Sequence, residues 1–375
     1  MESELVPVVI GDIGGTNCRL SLIKINTKEE STNIKNLHIK IYKSREFKNN
    51  LEEILKEYLK YLKTENCEPK MAVLGIPGAI INNRVIVSYQ FPLLNGTSGS
   101  EMAKKIGVDH LMYLNDFNIN GYAIQNKKFV EGVDYIHLNP NIKSESNQTK
   151  AMIGAGTGLG MGYLTKTPYN KYYSVYSSEG GQQDFAPCTK LQNDYKQFLI
   201  EKIGFPKPSW EMACCGSSIT RIYKFFLSIK EEEKINENDI DKNLMNDVLN
   251  SENDGKKIID CNNKIIENCI NNKCSLCKRT IDFFIELYGS IAGNISLLTL
   301  PFGGIYLFGG VSAALANYMK KNDIFIKNLI NKAGLDKFLE RIPVYIIINE
   351  ELGVTGAAEF TKQALEEGKL NLLCL

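Results

Sequence analysis

Gly11-Asp12-Ile13-Gly14-Gly15-Thr16-Asn17-Cys18-Arg19 lies between two apolar runs, Val6–Ile10 and Leu20–Ile25. The first run reads as a buried strand, and β character resumes in the second directly after the turn. A strand, a tight glycine turn and a second strand carrying one aspartate suit the terminal phosphates of a nucleotide. Gly14 and Gly15 let backbone N–H groups approach phosphate oxygens, and Thr16 and Asn17 add hydroxyl and amide donors. Asp12 at the strand end suits Mg²⁺ held through waters, because that ion keeps several waters and takes few carboxylates. An ordinary hairpin with an aspartate and two turn glycines would read the same way.

A second segment points in the same direction. Gly154, Gly156, Gly158, Gly160 and Gly162 recur at every second position of Ile153–Tyr163, with Thr157 in the middle. In an extended chain this spacing puts all five on one side and leaves it bare of Cβ atoms. A phosphate chain beside the Thr157 hydroxyl is one occupant; a glycine-rich hairpin packed on a neighbouring sheet is the other reading. Neither a Walker loop nor a GxGxxG fingerprint is present. Two unlike phosphate loops so far apart in sequence suggest a nucleotide held between two lobes.

Bulk properties narrow the class. The chain has 375 residues and 43% hydrophobic composition, enough for a large core split into two domains. With 44 Lys+Arg against 43 Asp+Glu there is no charge excess to attract nucleic acid or a membrane surface. No apolar run reads as long enough to span a membrane, the first strand leaves no room for a signal peptide, and the last four residues form no lipidation or peroxisomal signal. Cytoplasm is the expected location.

Of the ten cysteines, Cys274-x-x-Cys277 with Cys261 and Cys269 upstream invites a metal reading. A structural zinc site wants two close pairs, or one pair with histidines. The first two cysteines are eight apart, and the histidines are His38, His110 and His137. Cys274 and Cys277 also open a long helical pattern running to Leu300, so reduced structural thiols are expected and no metal is assigned to them.

Along the chain, strands and helices alternate. Strands are expected at the two opening runs, Leu37–Tyr42, Met71–Gly75, Arg84–Val87 and Leu111–Leu114, with helices at Asn50–Leu62, at Gly99–Ile106 and after Phe117. A strand-rich stretch follows to about Tyr176, then a mostly helical one to Leu300. Gly303–Gly309 and Ile342–Ile348 read as strands, and Gly353–Glu366 as a closing helix. This order argues for two α/β lobes. Residues 229–263 stand apart: rich in Glu, Lys, Asn and Asp, they read as a solvated helical insertion.

Chemistry needs an acceptor and a base. Asp116, in Leu114-Asn115-Asp116-Phe117, falls at the C-terminal end of a buried strand, where α/β ligand sites lie. A carboxylate there can take a proton from a substrate hydroxyl attacking a phosphoryl group, or it can cap the next helix. Glu179, beside two glycines in Ser178-Glu179-Gly180-Gly181-Gln182-Gln183-Asp184-Phe185-Ala186-Pro187, and Glu211, after Pro208-Ser209-Trp210, are further acids of the kind that read polyhydroxylated ligands. For either acid taken alone, capping or solvation is the simpler explanation.

In order, Gly-Asp-Ile-Gly-Gly-Thr-Asn-x-Arg, Ile-Pro-Gly, Asn-Asp-Phe, Gly-x-Gly-Thr-Gly-Leu-Gly, Glu-Gly-Gly-x-x-Asp-Phe-Ala-Pro and Phe-Gly-Gly resemble the bacterial-type glucokinases, relatives of actin, hexokinase and the heat-shock chaperone ATPases. The resemblance covers nearly the whole chain except 229–263. It implies a two-lobed actin-like (ribonuclease H-like) α/β fold, mixed sheets flanked by helices, with the active site in the interdomain cleft. Residues 1–115 would form the small lobe, joined by the C-terminal helix 353–375, and 116–352 the large one. It implies ATP-dependent phosphorylation of the glucose 6-hydroxyl in the first step of glycolysis, Mg²⁺ with ATP, small-molecule partners only, and a homodimer. By resemblance, Asp116 is the base; Asn115, Glu179, Gln182 and Glu211 lie on the sugar. Asp12, Gly14, Gly15, Thr16 and Asn17 match the first phosphate loop, Gly156, Thr157 and Gly158 the second, and Gly309, Gly310 and Ser312 the adenosine end.

Two departures bear on the sugar. Gln182 stands where the bacterial enzymes carry a histidine; an amide can donate and accept there but cannot titrate. Val87-Ser88-Tyr89-Gln90-Phe91-Pro92 lacks the Thr-Asn pair and Trp of the bacterial pattern, leaving Gln90 or Asn95 to replace the missing amide. Alternatives are a ROK-like kinase for another hexose or amino sugar, a non-catalytic sugar sensor, and an actin- or chaperone-like ATPase. Gln182 and the isolated Cys188 argue against the first, and Asp116 with both phosphate loops against the second. Asn115-Asp116-Phe117 and Glu179-Gly180-Gly181 have no purpose in the third.

Overall fold

The computed structural model describes residues 5–26, 37–126, 129–235, 240–251, 254–349 and 351–368. They divide into two compact α/β units, the first made of residues 1–129, 170–177 and 349–375, the second of 130–169 and 178–348.

In the first unit, β1 (Leu5–Ile13), β2 (Asn17–Asn26) and β3 (Leu37–Lys43) form an antiparallel meander. The chain then rises through helix α1 (Leu51–Thr64) and returns as β4 (Met71–Ile76), parallel to β1 on its other side. A short hairpin, β5 (Ala79–Ile81) with β6 (Arg84–Val87), and helix α2 (Gly99–Ile106) lead to β7 (His110–Asn115), parallel to β4. The sheet order is β3-β2-β1-β4-β7. Alternation along β1 explains its burial on both faces. Val9 and Ile13 face α1 and α2 in one cluster with Ile54, Tyr58 and Met102. Val8 and Ile10 face the closing helix Leu352–Glu366, through Val354, Ala357 and Phe360. Helix α3 (Asp116–Ala123) follows β7 without a linker.

The second unit has β8 (Tyr135–His137), β9 (Lys150–Ala155), β10 (Leu159–Thr165), β11 (Ser174–Ser178), whose first four residues belong to the other unit, β12 (Ile305–Phe308) and β13 (Val344–Ile347). Its own strands run β10-β9-β12-β13-β8. β10 is antiparallel to β9, while β12 is parallel to both β9 and β13. The core of each sheet therefore repeats one plan: a hairpin whose first strand continues into two parallel neighbours.

Two expectations change. Ile153–Tyr163 is no single extended strand: it turns at Gly156–Gly158, so Gly154 pairs directly across from Gly160. Directly paired residues share a face, so Gly154, Gly160 and Gly162 still lie on one side, now of a hairpin rather than of a single strand. The apolar pattern before Leu300 also reaches membrane-spanning length and hydropathy: helix α9 (Ser275–Thr299) has 25 residues and mean hydropathy 1.3 over its most apolar window. Most of it is buried because other elements of the unit pack on it, including α6 (Ser218–Ser228), α8 (Gly255–Ile270) and α11 (Ile324–Ile330), while Lys278, Arg279, Asp282 and Glu286 mark a stripe left partly open. At its start the Cys274 thiol accepts from the Cys277 N–H at 3.2 Å and caps the helix.

Residues 229–263, expected as a solvated insertion, supply α7 (Lys242–Leu249) and the first half of α8; positions 236–239 and 252–253 lie outside the described residues. Leu244, Val248 and Cys261 are buried in the core of the unit. The apolar stripe is diluted by Lys and Asn on the outer face, which hides it from composition.

The closing helix rests on α3 at Gly356, where a Cβ would lie 1.8 Å from the Ile119 carbonyl oxygen. Gly356→Ala must push the helix off α3, and should destabilise the first unit by about 1–3 kcal/mol. Thermal unfolding measures this; an unchanged melting temperature would mean that the contact is not tight.

Candidate active site

In the first unit the turn Gly14–Asn17 closes with the Gly14 N–H donating to the Asn17 carbonyl at 2.9 Å. Ser44, which no sequence pattern singled out, braces it. Its hydroxyl donates to the Gly14 carbonyl at 2.7 Å and its N–H to the Thr16 carbonyl at 3.1 Å. Lys43, opposite Asn17 in the β2/β3 register, donates to the Asn17 Oδ1 at 2.8 Å and brings a cation to the loop. Thr16 is exposed. Of the two amide candidates in the 88–95 segment, Asn95 is committed to its own loop, accepting from the Ser88 N–H at 2.7 Å. Gln90 is exposed and packs against Gly15.

Asp12 ends β1 directly opposite Arg19, with 3.9 Å between carboxylate and guanidinium. The closing helix begins against it: a Cβ on Gly353 would meet the Asp12 carboxyl carbon at 2.5 Å. Burial raises the Asp12 carboxyl above its ordinary pKa, and Arg19 partly opposes the shift. Asp12 and Leu114 flank Gly75 in register, so Asp12 and Asn115 end strands separated only by β4, about 10 Å apart.

At the end of β7 the capping role falls to Asn115. Its Oδ1 accepts from the Phe117 and Asn118 N–H groups at 2.9 and 3.1 Å, and its Nδ2 donates to the Gly78 carbonyl at 3.0 Å. This ties Ile76-Pro77-Gly78 to the Asn-Asp-Phe turn. Asp116 is the first residue of α3, with its Oδ1 accepting from the Phe117 N–H at 2.9 Å.

In the second unit the Gly156 N–H closes the β9/β10 turn on the Gly158 carbonyl at 2.9 Å. Gly309 follows β12 with φ +98° and lies against Ala155, where a Cβ would approach the carbonyl oxygen to 2.4 Å. The turn and the start of α10 (Gly310–Lys321) are thus neighbours at one edge of the sheet. Ser312 is buried: its hydroxyl donates to the Phe308 carbonyl at 2.8 Å and shares a hydrogen bond with the Tyr288 hydroxyl at 3.1 Å. It presents no side chain at the surface.

Glu211 is brought to the same hairpin. Residues 183–185 pair with 208–210, the Trp210 N–H donating to the Gln183 carbonyl at 2.9 Å and the Phe185 N–H to the Pro208 carbonyl at 2.9 Å. The buried rings of Trp210 and Phe185 meet edge to face at 4.9 Å and hold the two segments together. Glu211 Oε2 then accepts from the Leu159 N–H at 2.9 Å, and Oε1 from the Gln182 amide at 2.8 Å. Gly158 leaves room for this carboxylate, which a Cβ would meet at 2.4 Å. Glu179 is exposed and precedes the short turn Gly180–Gln182.

The Asp12 shift has a consequence. A carboxyl whose folded pKa is raised favours folding while protonated; that gain is complete below its unfolded pKa of about 3.8 and is lost as pH rises through the folded value. Asp12→Asn should therefore raise the melting temperature relative to wild type, and increasingly so as pH rises. A lower melting temperature would mean that pairing with Arg19 outweighs burial.

A family model described as Glucokinase matches residues 9–364. The glucokinase of Nostoc punctiforme is 30% identical over 353 residues, 94% of this chain and 97% of that protein. Among solved structures, a glucokinase from an Antarctic psychrotroph aligns with TM-score 0.71 at 23% identity, covering 94% of this chain and 98% of that one. A Balamuthia mandrillaris glucokinase solved in complex with glucose aligns with TM-score 0.69 at 15% identity, over 96% of this chain and 94% of that one. These likenesses agree with the two-lobed actin-like fold expected from the motifs. With a match across nearly its whole length, the chain belongs to the glucokinase family.

Proposed function

We propose that this chain transfers the γ-phosphoryl group of ATP to the 6-hydroxyl of glucose. Beside family membership, the observation that carries the mechanism is the placement of Asp116 at the end of a parallel strand, with one carboxylate oxygen held by the Phe117 N–H. The hydroxyl oxygen attacks the γ-phosphorus, the bond to the ADP oxygen breaks, and Asp116 takes the hydroxyl proton. Asn115 sets the angle of the Asp116 turn by capping α3 and anchoring Gly78. Glu179 and Glu211 hold sugar hydroxyls as charged acceptors, and Gln182 orients Glu211 in place of the family histidine.

Gly14, Gly15, Thr16 and Asn17 bind phosphate with Lys43 as a neighbouring cation, and Gly156, Thr157 and Gly158 form the second phosphate turn. Gly309 and Gly310 leave the adenosine end bare of side chains, and Ser312 serves it indirectly by fixing the first turn of α10. Asp12, a single part-exposed carboxylate at a strand end, fits Mg²⁺ held through waters. The ion would neutralise charge on the transferred phosphate. The family resemblance supports a cytoplasmic homodimer.

ADP release from Mg·ATP with no sugar, glucose, mannose, fructose or N-acetylglucosamine tests the reading. Glucose should stimulate release most, and Asp116→Asn should lower kcat by about 10²–10⁴. No stimulation by any sugar, or near-full turnover in the variant, would overturn it. In the same assay Glu179→Ala should raise KM for glucose by about 10- to 100-fold with a smaller effect on KM for ATP; an unchanged glucose KM would remove Glu179 from the sugar site.

A further inference from the structure

The polar segment 229–263 ends inside α8, and one of its residues reaches the second phosphate turn. Asn262 is 6% exposed. Its Nδ2 donates to the Gly216 carbonyl at 2.8 Å, and the Gly216 N–H donates to the Gly156 carbonyl at 2.7 Å. Gly156 in turn closes the Gly-Thr-Gly turn on Gly158. Three consecutive hydrogen bonds thus run from a surface helix to the loop. The amide orientation follows from chemistry, because a carbonyl can only accept and the Asn262 nitrogen must face it.

Packing alone does not account for asparagine here. Its Oδ1 is buried and has no partner among the described residues. Such an orphaned acceptor costs stability, a penalty that leucine, with its similarly branched side chain, avoids. What asparagine does and leucine cannot is hold the Gly216 carbonyl. Gly216 has little room to move: a Cβ at 216 would lie 2.5 Å from the Gly156 oxygen and 3.7 Å from Val311 in the first turn of α10. Gly216 therefore touches both the phosphate turn and the helix start assigned to the adenosine end.

We propose that Asn262 is a positioning residue for the second phosphate loop, which makes helix α8 part of the nucleotide site. The inference rests on the nucleotide role given above to Gly156–Gly158. It predicts greater damage to ATP binding than to glucose binding, since α8 reaches Gly156 directly through Gly216 and reaches Glu211 only beyond that turn, at Leu159.

Calorimetric binding of Mg·ATP without sugar, paired with steady-state KM values, tests it. Asn262→Leu and the near-isosteric Asn262→Asp both remove the donor, and each should raise Kd for ATP about tenfold with KM for glucose within about twofold of wild type. Gly216→Ala should weaken ATP binding too, and the Asn262→Leu/Gly216→Ala double variant should be no weaker than the worse single one, because both act through the backbone of one residue, Gly216. Should the leucine variant not fold, the aspartate and alanine variants read the same contact. ATP affinity within about twofold of wild type in folded Asn262 variants, or equal losses for ATP and glucose, would overturn the proposal. A wild-type chain that binds ATP yet phosphorylates no sugar would remove the kinase reading and leave this inference to be decided by Kd alone. Failure of the wild type to bind ATP would overturn both.

Discussion

The polarity of one strand in each unit governs everything that follows. β1 is antiparallel to β2 on one side and parallel to β4 on the other, and β9 stands in the same relation to β10 and β12. A hairpin turn after such a strand falls at the same edge as the C-terminal ends of its parallel neighbours. Asp12 and Asn115 come to one edge in the first unit, Gly156 and Gly309 to one edge in the second. At those edges the strand ends leave backbone groups without ladder partners, which is where α/β sheets take ligands.

Each edge is then stiffened from elements distant in sequence. Ser44 and Lys43 brace the first turn from β3 and its continuation, and the start of the closing helix meets Asp12. In the second unit a single carboxylate, Glu211, accepts from the hairpin at Leu159 and from Gln182. That pair of bonds joins Glu211 and Gln182 to the glycine turn of the β9/β10 hairpin. Preorganisation of this kind suits phosphoryl transfer, in which the protein contributes mainly positioning and charge.

The plan of strands and helices was legible because β1, β4 and β7 carry dense apolar runs and the turns between them carry glycine. The glycines at 154–162 were read with too long a strand, since period-two spacing is the same on one strand as across a tight hairpin. Composition also misjudged 229–263: one buried face on a helix needs only every third or fourth residue, and Leu244, Val248 and Cys261 suffice amid Lys and Asn. α9 erred in the opposite sense, having a membrane helix's apolarity for use inside a core.

By itself the sequence carried the family resemblance in its ordered motifs and marked the two glycine turns, because tight turns between apolar strands favour glycine. Only the tertiary structure decided which polar groups serve those turns. Asn115, and no longer Asp116, caps α3; Asn95 is spent on its own loop while Gln90 reaches Gly15; Ser312 is turned inward. Ser44, Lys43 and Asn262 acquire their places from strand register and helix packing. Each makes its decisive contact across many residues of chain, and a lone serine, lysine or asparagine carries no local signal of the carbonyl or amide it will meet.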